Sequence, residues 1–123
     1  MDYVLVGLGG FLGANARYLL ARWLTQYYGT AFPYATLIIN VTGSFVIGFF
    51  LVFATERFAL HDYWRLWFVV GFLGAYTTFS TFSFENLALL QNGFWALSLL
   101  YMSSSVVLGL LAAGAGVALA RLL

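Results

Sequence analysis

The chain has 123 residues, of which 63% are hydrophobic and only 7% are charged. Its five basic and four acidic side chains could not cover the surface of a soluble globule of this size, so the composition predicts an integral membrane protein. The formal net charge of +1 excludes a basic nucleic-acid-binding protein, and the absence of cysteine excludes a disulfide framework and a thiolate metal site.

Charged and aromatic residues divide the first half of the chain into two predicted spans. The first span covers about residues 3–25 and ends in an aromatic cluster at Trp23, because amphipathic rings prefer the headgroup layer. The uncharged stretch that follows continues to Glu56 and is too long for one crossing of roughly 20 residues. Pro33 is therefore expected to begin a second helix over about residues 34–55.

The second half of the chain contains two more predicted spans. Residues 56–65 form the most hydrophilic stretch and are expected to be the one substantial loop. A third apolar segment covers about residues 66–90, and a short polar turn separates it from a fourth over about residues 94–122. The sequence thus predicts an all-α integral membrane protein whose residues 1–123 form a single domain of four transmembrane helices.

The third predicted span is unusually rich in hydroxyl groups. Residues 71–85 read GFLGAYTTFSTFSFE, with five hydroxyls in the seven positions from Thr77 to Ser83. Glycines followed by two β-branched threonines disfavour a continuous helix, so we expect the third helix to be broken near its middle and to restart at about Phe79. Irregular backbone at membrane depth is tolerated where it faces protein or a watery cavity, and its free carbonyls can ligate ions.

Two pairs of side chains with helical spacing follow the expected break. Phe79 and Phe82 share one face, and Thr78 and Thr81 repeat the same spacing beside them. The electropositive edges of the rings can contact an anion, and hydroxyl donors can replace part of its hydration shell. The alternative is that both phenylalanines belong to a bundle or dimer core, the usual role of an apolar stripe.

Five further polar residues lie inside the spans, where a polar group is costly unless it has a partner. Asn40 adds a donor at mid-membrane in the second span, and Tyr101 with Ser105 gives the fourth span a polar edge. Arg17 lies deep in the first span, where its stem could carry the charge toward the interface. Glu85 could pair with Arg17 or cap a neighbouring helix end, and the sequence leaves both options open.

Positive charge barely distinguishes the two sides of this four-span arrangement. Arg57, Arg65 and Arg121 fall on one side, whereas Arg22 falls on the other with Arg17 nearby. So weak a bias would permit insertion in both orientations and hence an antiparallel dimer. The alternative is that the three arginines suffice to fix the termini in the cytoplasm.

The motifs of three segments resemble those of the CrcB/Fluc family of fluoride channels. They are GFLGAYTTFSTFSFE at residues 71–85, TLIINVTG at residues 36–43 and GGFLGANARY at residues 9–18. The resemblance extends over all four spans, and the TTFSTF string is its most specific part. It implies a dual-topology, antiparallel homodimer in the bacterial inner membrane, with two fluoride pores that export fluoride passively and no enzymatic activity.

The resemblance also implies roles for individual residues. It assigns pore positions to Asn40, Phe79, Phe82, Tyr101 and Ser105, to which the helical spacing adds Thr78 and Thr81. It implies that the backbone carbonyls of Gly74 and Thr77 hold a structural sodium ion at the dimer interface, and it matches Arg17 and Glu85 to polar positions of the family. Ala75 replaces a glycine that is common at the break in the family. Gly109 and Ala113 replace hydroxyl residues of the fourth span, so the resemblance assigns no residues to the outer part of the pore lining.

The physical chemistry of fluoride agrees with this set of groups. The ion is small and strongly hydrated, and several neutral donors suit rapid passage because binding must be weak enough to permit exit. Two alternatives are a small proton-coupled multidrug or cation exporter with the same dual-topology plan and a membrane scaffold without transport. The exporter would need a central carboxylate, commonly on the first span, and the scaffold would have no need of Asn40 or of a hydroxyl-rich, broken span.

Overall fold

The computed structural model describes all 123 residues, and every regular element in it is helical. Four helical stretches are long and apolar enough to cross a membrane: Asp2–Tyr28, Tyr34–Arg57, Asp62–Gln91 and Trp95–Leu122. The prediction of an all-α protein with four such helices is confirmed. Three of the four extend a few residues beyond the predicted apolar spans, because helical backbone continues into the interfacial layers.

The first two helices meet at a short turn. Helix α1 covers Asp2–Tyr28 and helix α2 covers Tyr34–Val52. Gly29 follows α1 with φ of 77°, a left-handed conformation that glycine adopts without a Cβ clash. Pro33 directly precedes α2, where the missing amide of proline costs no helical hydrogen bond.

The predicted polar loop is shorter than the sequence suggested. A π-helical turn, Phe53–Arg57, prolongs α2, and helix α3 begins after residue 61 and covers Asp62–Trp64. Only residues 58–61 lie outside helices, so the prediction of a loop over residues 56–65 is wrong at both ends. The charged residues at these ends continue the helices because they extend beyond the apolar layer.

An ion pair fixes the end of the second helix to the end of the last one. The Arg121 guanidinium donates to Glu56 with an N···O distance of 3.3 Å, and Arg57 donates to the Arg121 carbonyl. Both members of the ion pair are largely exposed. The contact therefore lies at the surface of the helix bundle.

The third helical stretch changes its geometry along its length. After α3 come a π-helical segment, Arg65–Leu73, and the single turn α4, Gly74–Tyr76. Thr77 and Thr78 have extended backbones, with φ/ψ of −84°/160° and −152°/126°. Helix α5 then covers Phe79–Gln91, and after a turn at Gly93 helix α6 covers Trp95–Leu122.

Two helix contacts depend on close approach of backbones. Helix α1 packs along the π-helical segment, and a Cβ on Gly13 would overlap the Phe72 carbonyl. Helix α2 packs along α6, and a Cβ on Gly48 would overlap the Ala113 carbonyl. Small residues at both positions thus allow the helices to pack closely.

Candidate functional site

The carboxamide of Asn40 contacts the backbone where α4 ends and α5 begins. Its Nδ2 donates to the Thr78 carbonyl at 2.9 Å, and the Thr78 amide donates to its Oδ1, also at 2.9 Å. A carboxamide has one donor group and one acceptor group in the arrangement that a peptide unit requires. Helix α2 thus satisfies both backbone groups of the residue with the most extended conformation in the third stretch.

The threonines at this point hold the two adjoining helix ends. Thr77 donates its hydroxyl to the Leu73 carbonyl at 3.0 Å, which is the bond to the preceding turn that threonine commonly forms. The Thr78 hydroxyl accepts from the Thr81 amide at 3.3 Å and donates to the Thr81 hydroxyl at 3.2 Å. Thr78 is therefore the N-cap of α5, a role that the sequence analysis did not assign to it.

Several of the predicted site residues line one open-sided cavity of about 340 Å³. Those that were expected from the sequence are Asn40, Gly74, Thr77, Thr78 and Phe79. The remaining wall consists mainly of small and apolar residues of α2 and the π-helical segment. The fold thus brings the mid-membrane asparagine beside the extended residues and the first phenylalanine.

The predicted phenylalanine pair continues into a row of aromatic rings. The centroids of Phe79 and Phe82 lie 5.7 Å apart, and Phe82 meets Tyr101 edge-on at 5.0 Å with an interplanar angle of 89°. Phe79 is 79% exposed, whereas Tyr101 is fully buried. The row therefore leads from the surface of the subunit to its interior.

The hydroxyls of Tyr101 and Ser105 are buried and neither forms a hydrogen bond of normal geometry, although the side chains of Glu85 and Thr36 lie beside the Tyr101 hydroxyl. An unpaired buried hydroxyl is unusual in a folded protein because its desolvation is costly. These are the two fourth-span positions that the sequence analysis singled out. They give the interior of the subunit a polar point on α6.

Glu85 and Arg17 are not paired with each other, although the sequence left that option open. The Thr36 hydroxyl donates to Glu85 Oε1 at 2.5 Å and so links α2 to α5. Arg17 is half-buried and lines a separate cleft of about 250 Å³, together with Thr36, Thr78 and Thr81. Arg17 and Glu85 thus form no ion pair, although Thr36 contacts Glu85 and lines the cleft of Arg17.

Three buried polar residues were not predicted from the sequence: Thr36, Asn86 and Ser98. Ser98 donates to Asn86 Oδ1 at 3.0 Å, and Asn86 Nδ2 donates to the Phe82 carbonyl at 2.9 Å. Helical spacing could have revealed the last two, because Asn86 lies four residues after Phe82 and Ser98 three before Tyr101.

The chain matches one family along nearly its whole length. A family model described as CrcB-like protein, Camphor Resistance (CrcB), matches residues 4–117. A protein of Roseiflexus sp. named Fluoride-specific ion channel FluC is 47% identical over 123 residues, which cover 100% of this chain and 99% of the relative.

Two other relatives carry the same name. The protein of Magnetococcus marinus is 46% identical over 123 residues, with both chains covered completely. That of Koribacter versatilis is 51% identical over 96 residues, or 78% of this chain and 76% of the relative. The motif resemblance is thereby confirmed, and the chain belongs to the CrcB family.

Proposed function

We propose that the protein is a fluoride-selective ion channel of the bacterial inner membrane and that it exports fluoride passively, without enzymatic activity. The similarity to relatives named Fluoride-specific ion channel FluC over the full chain carries the proposal. The chemistry of the site supports it, since the groups around the cavity are amides, hydroxyls and ring edges. Such neutral groups can replace the water of a small anion without holding it tightly.

The fluoride path in this proposal is formed by the residues expected from the sequence: Asn40, Thr78, Phe79, Thr81, Phe82, Tyr101 and Ser105. The cavity beside Asn40 and the aromatic row from Phe79 to Tyr101 support it. The buried hydroxyls of Tyr101 and Ser105 are the donors that continue the proposed path into the subunit. Arg17 and Glu85 are assigned structural polar roles, and the Thr36 hydrogen bond to Glu85 agrees with such a role.

The functional unit in this proposal is an antiparallel homodimer of two four-span domains. Thr81 and Ser83 are exposed near the middle of the third stretch, beside the exposed ring of Phe79. Hydroxyls in contact with lipid tails would be poorly satisfied, so a second subunit is a better neighbour for this face. The near balance of arginines across the membrane permits the inverted orientation that such a dimer needs.

The third span in this proposal is a broken helix that holds a structural sodium ion through the Gly74 and Thr77 carbonyls. The donor set fits the ion, because neutral carbonyl oxygens suit a hard monovalent cation and no cluster of acidic and histidine side chains is present for a transition metal. In an antiparallel dimer, two such pairs of carbonyls would surround the two-fold axis. Bound sodium would supply positive charge near the anion paths.

Fluoride efflux from proteoliposomes tests the function directly. We expect fluoride efflux from vesicles that retain chloride and a cationic dye, and we expect Asn40→Asp to stop it because a carboxylate repels the anion. Thr42→Val is the matched control, since Thr42 is also on α2 but lies outside the cavity, and its hydroxyl contacts Tyr76 and the preceding turn of α2. Proton-coupled movement of the dye without fluoride flux would instead identify the exporter.

A reporter on the C-terminus tests the dimer. We expect it on both faces of the membrane in the parental protein, and we expect Arg57→Ala with Arg65→Ala to shift it toward one face and reduce flux. A reporter confined to one face of the parental membrane would contradict the antiparallel dimer.

Sodium replacement tests the structural ion. Exchange of sodium for a bulky organic cation should weaken the dimer or the flux, whereas the fluoride reversal potential should ignore a sodium gradient because the ion is not transported. Unchanged dimer stability and flux after complete sodium removal would contradict the site.

A further inference from the structure

Asn40 is the only residue of α2 whose side chain is hydrogen-bonded to the backbone of the third stretch. Thr42 in the next turn reaches the same region, but its hydroxyl lies 2.9 Å from the hydroxyl of Tyr76 and contacts no backbone there. Asn40 thus contacts the backbone of the third stretch, whereas Thr42 contacts only a side chain there.

The bond from the Thr78 amide changes the pairing of the carbonyls in α4. In a continuous helix each amide donates to the carbonyl four residues earlier, so Thr78 would donate to Gly74. The Thr77 amide still follows this rule and donates to the Leu73 carbonyl at 3.0 Å. The Thr78 amide donates to Asn40 Oδ1, and Gly74 is therefore the first carbonyl that loses its helical donor.

We propose that Asn40 is a positioning residue for the cation site. It binds the Thr78 amide, keeps that amide from the Gly74 carbonyl and so leaves the carbonyl oxygen available to a hard monovalent cation. The second bond, from Nδ2 to the Thr78 carbonyl, fixes the extended backbone in this orientation. The inference rests on the proposed sodium site and adds to Asn40 a role beyond that of a donor to fluoride.

The proposal separates two properties of the same side chain. The sodium site requires an acceptor oxygen at position 40, whereas passage of an anion requires that this position carry no negative charge. Asn40→Asp retains an acceptor for the Thr78 amide but introduces a carboxylate. Asn40→Leu has a similar size and lacks both the acceptor and the donor.

The test measures the sodium concentration that half-maximally protects the dimer against dissociation in detergent, with N-methylglucamine as the replacement cation. For Asn40→Leu we expect this concentration to rise about tenfold or more, because the Thr78 amide can return to the Gly74 carbonyl. Asn40→Asp loses the donor to the Thr78 carbonyl, but its carboxylate keeps the acceptor for the Thr78 amide and attracts the cation. We therefore expect the half-maximal concentration to rise by no more than about threefold, or to fall, while fluoride efflux stops.

Thr42→Val serves as the matched control, since it removes a neighbouring α2 hydroxyl that contacts Tyr76. Its half-maximal sodium concentration should also stay within about threefold of the parental value. If Asn40→Leu has the parental half-maximal sodium concentration but reduced fluoride flux, the positioning role is overturned and the proposed sodium site stays intact. A parental protein that shows no sodium dependence would overturn both.

A measurement on the parental protein covers the case in which Asn40→Leu does not assemble. Thr77-Thr78 is the only pair of adjacent threonines in the chain, so ¹³C,¹⁵N-threonine labelling gives a single Thr78 amide signal after transfer from the preceding carbonyl. In a sample that also contains ¹³Cγ-labelled asparagine, we expect solid-state NMR to show this amide in contact with an asparagine ¹³Cγ and the Thr77 carbonyl to shift when sodium is added. In a sample that instead contains carbonyl-labelled glycine, a contact between the Thr78 amide and a glycine carbonyl would overturn the proposal.

Discussion

The two halves of the third helical stretch are attached to the rest of the subunit in different ways. The first half, from Arg65 to Tyr76, packs against α1 so closely that Gly13 lies against the Phe72 backbone. The second half, α5, is linked to the other helices by hydrogen bonds between side chains, such as the bond between Thr36 and Glu85. Close backbone packing therefore positions the first half, and side-chain hydrogen bonds position the second.

This difference has a physical meaning for a channel. Close backbone packing excludes water and ligands, so the face of the first half that meets α1 can serve only as a support. A helix held by a few hydrogen bonds keeps other side chains free, and Phe79 and Thr81 of α5 are exposed in the subunit. The half with fewer close contacts is therefore the half on which we place most of the proposed ion path.

The largest effect should follow from filling one of the close backbone contacts between α1 and the first half. Gly13→Ala places a Cβ against the Phe72 carbonyl and should destabilise the subunit by on the order of 3 kcal/mol. Gly7→Ala on the same helix has nothing within 4 Å and should be neutral or stabilising by up to about 1 kcal/mol, since alanine favours helix. Thermal unfolding in detergent measures both, and equal stability of the two variants would contradict the packing argument.

The aromatic row should affect flux more than stability. Phe79→Ile and Phe82→Ile remove ring edges from the proposed path and should each slow fluoride efflux about tenfold, with the dimer preserved on a sizing column. Phe84→Ile is the matched control, because Phe84 is also on α5 and 72% exposed but lies outside the row. Parental flux in both test variants would assign the two phenylalanines to packing.

A buried polar pair tests how α5 is held to α6. Ser98→Ala removes the donor to Asn86 Oδ1 and should cost about 1 kcal/mol, because the buried acceptor loses its partner. Combination with Asn86→Leu should cost less than the sum of the single changes, since no unpaired group then remains. Strict additivity in thermal unfolding would show that the pair contributes nothing to the attachment.

The smallest effect should come from the exposed ion pair outside both halves. Glu56→Gln removes the charge opposite Arg121, and the loss should be below about 0.5 kcal/mol at moderate salt. Thermal unfolding in low and high salt measures the contribution, which should decrease as salt increases. A loss as large as that of Ser98→Ala would contradict this order and show that the exposed ion pair stabilises the subunit as much as the buried pair does.

The number and place of the helices could be predicted because lipid imposes a simple length and hydropathy rule. The start of the second helix after Pro33 also followed from local chemistry. The lengths of the helix ends did not, since polar residues such as Glu56 and Asp62 can be helical once they lie outside the apolar layer.

The partners of the polar residues could not be predicted, because they depend on which helices are neighbours. The sequence identified Asn40 and Glu85 as groups that need partners, but Thr78 and Thr36 are their partners only in this packing arrangement. The π-helical segment Arg65–Leu73 adds a second obstacle. Its wider turns change which residues share a face, so helical spacing taken from an ordinary α-helix misplaces them.

The pairing of Asn40 with Thr78 also constrains how the chain is made. The two residues are 38 positions apart, so α2 is synthesised and can enter the bilayer before its partner exists. Until then, the carboxamide has no backbone to bind in the third stretch and opposes insertion. Helix α2 has the highest mean hydropathy of the four spans, 2.3, and this surplus lets it enter the lipid with an amide that finds its partner only when the third span arrives.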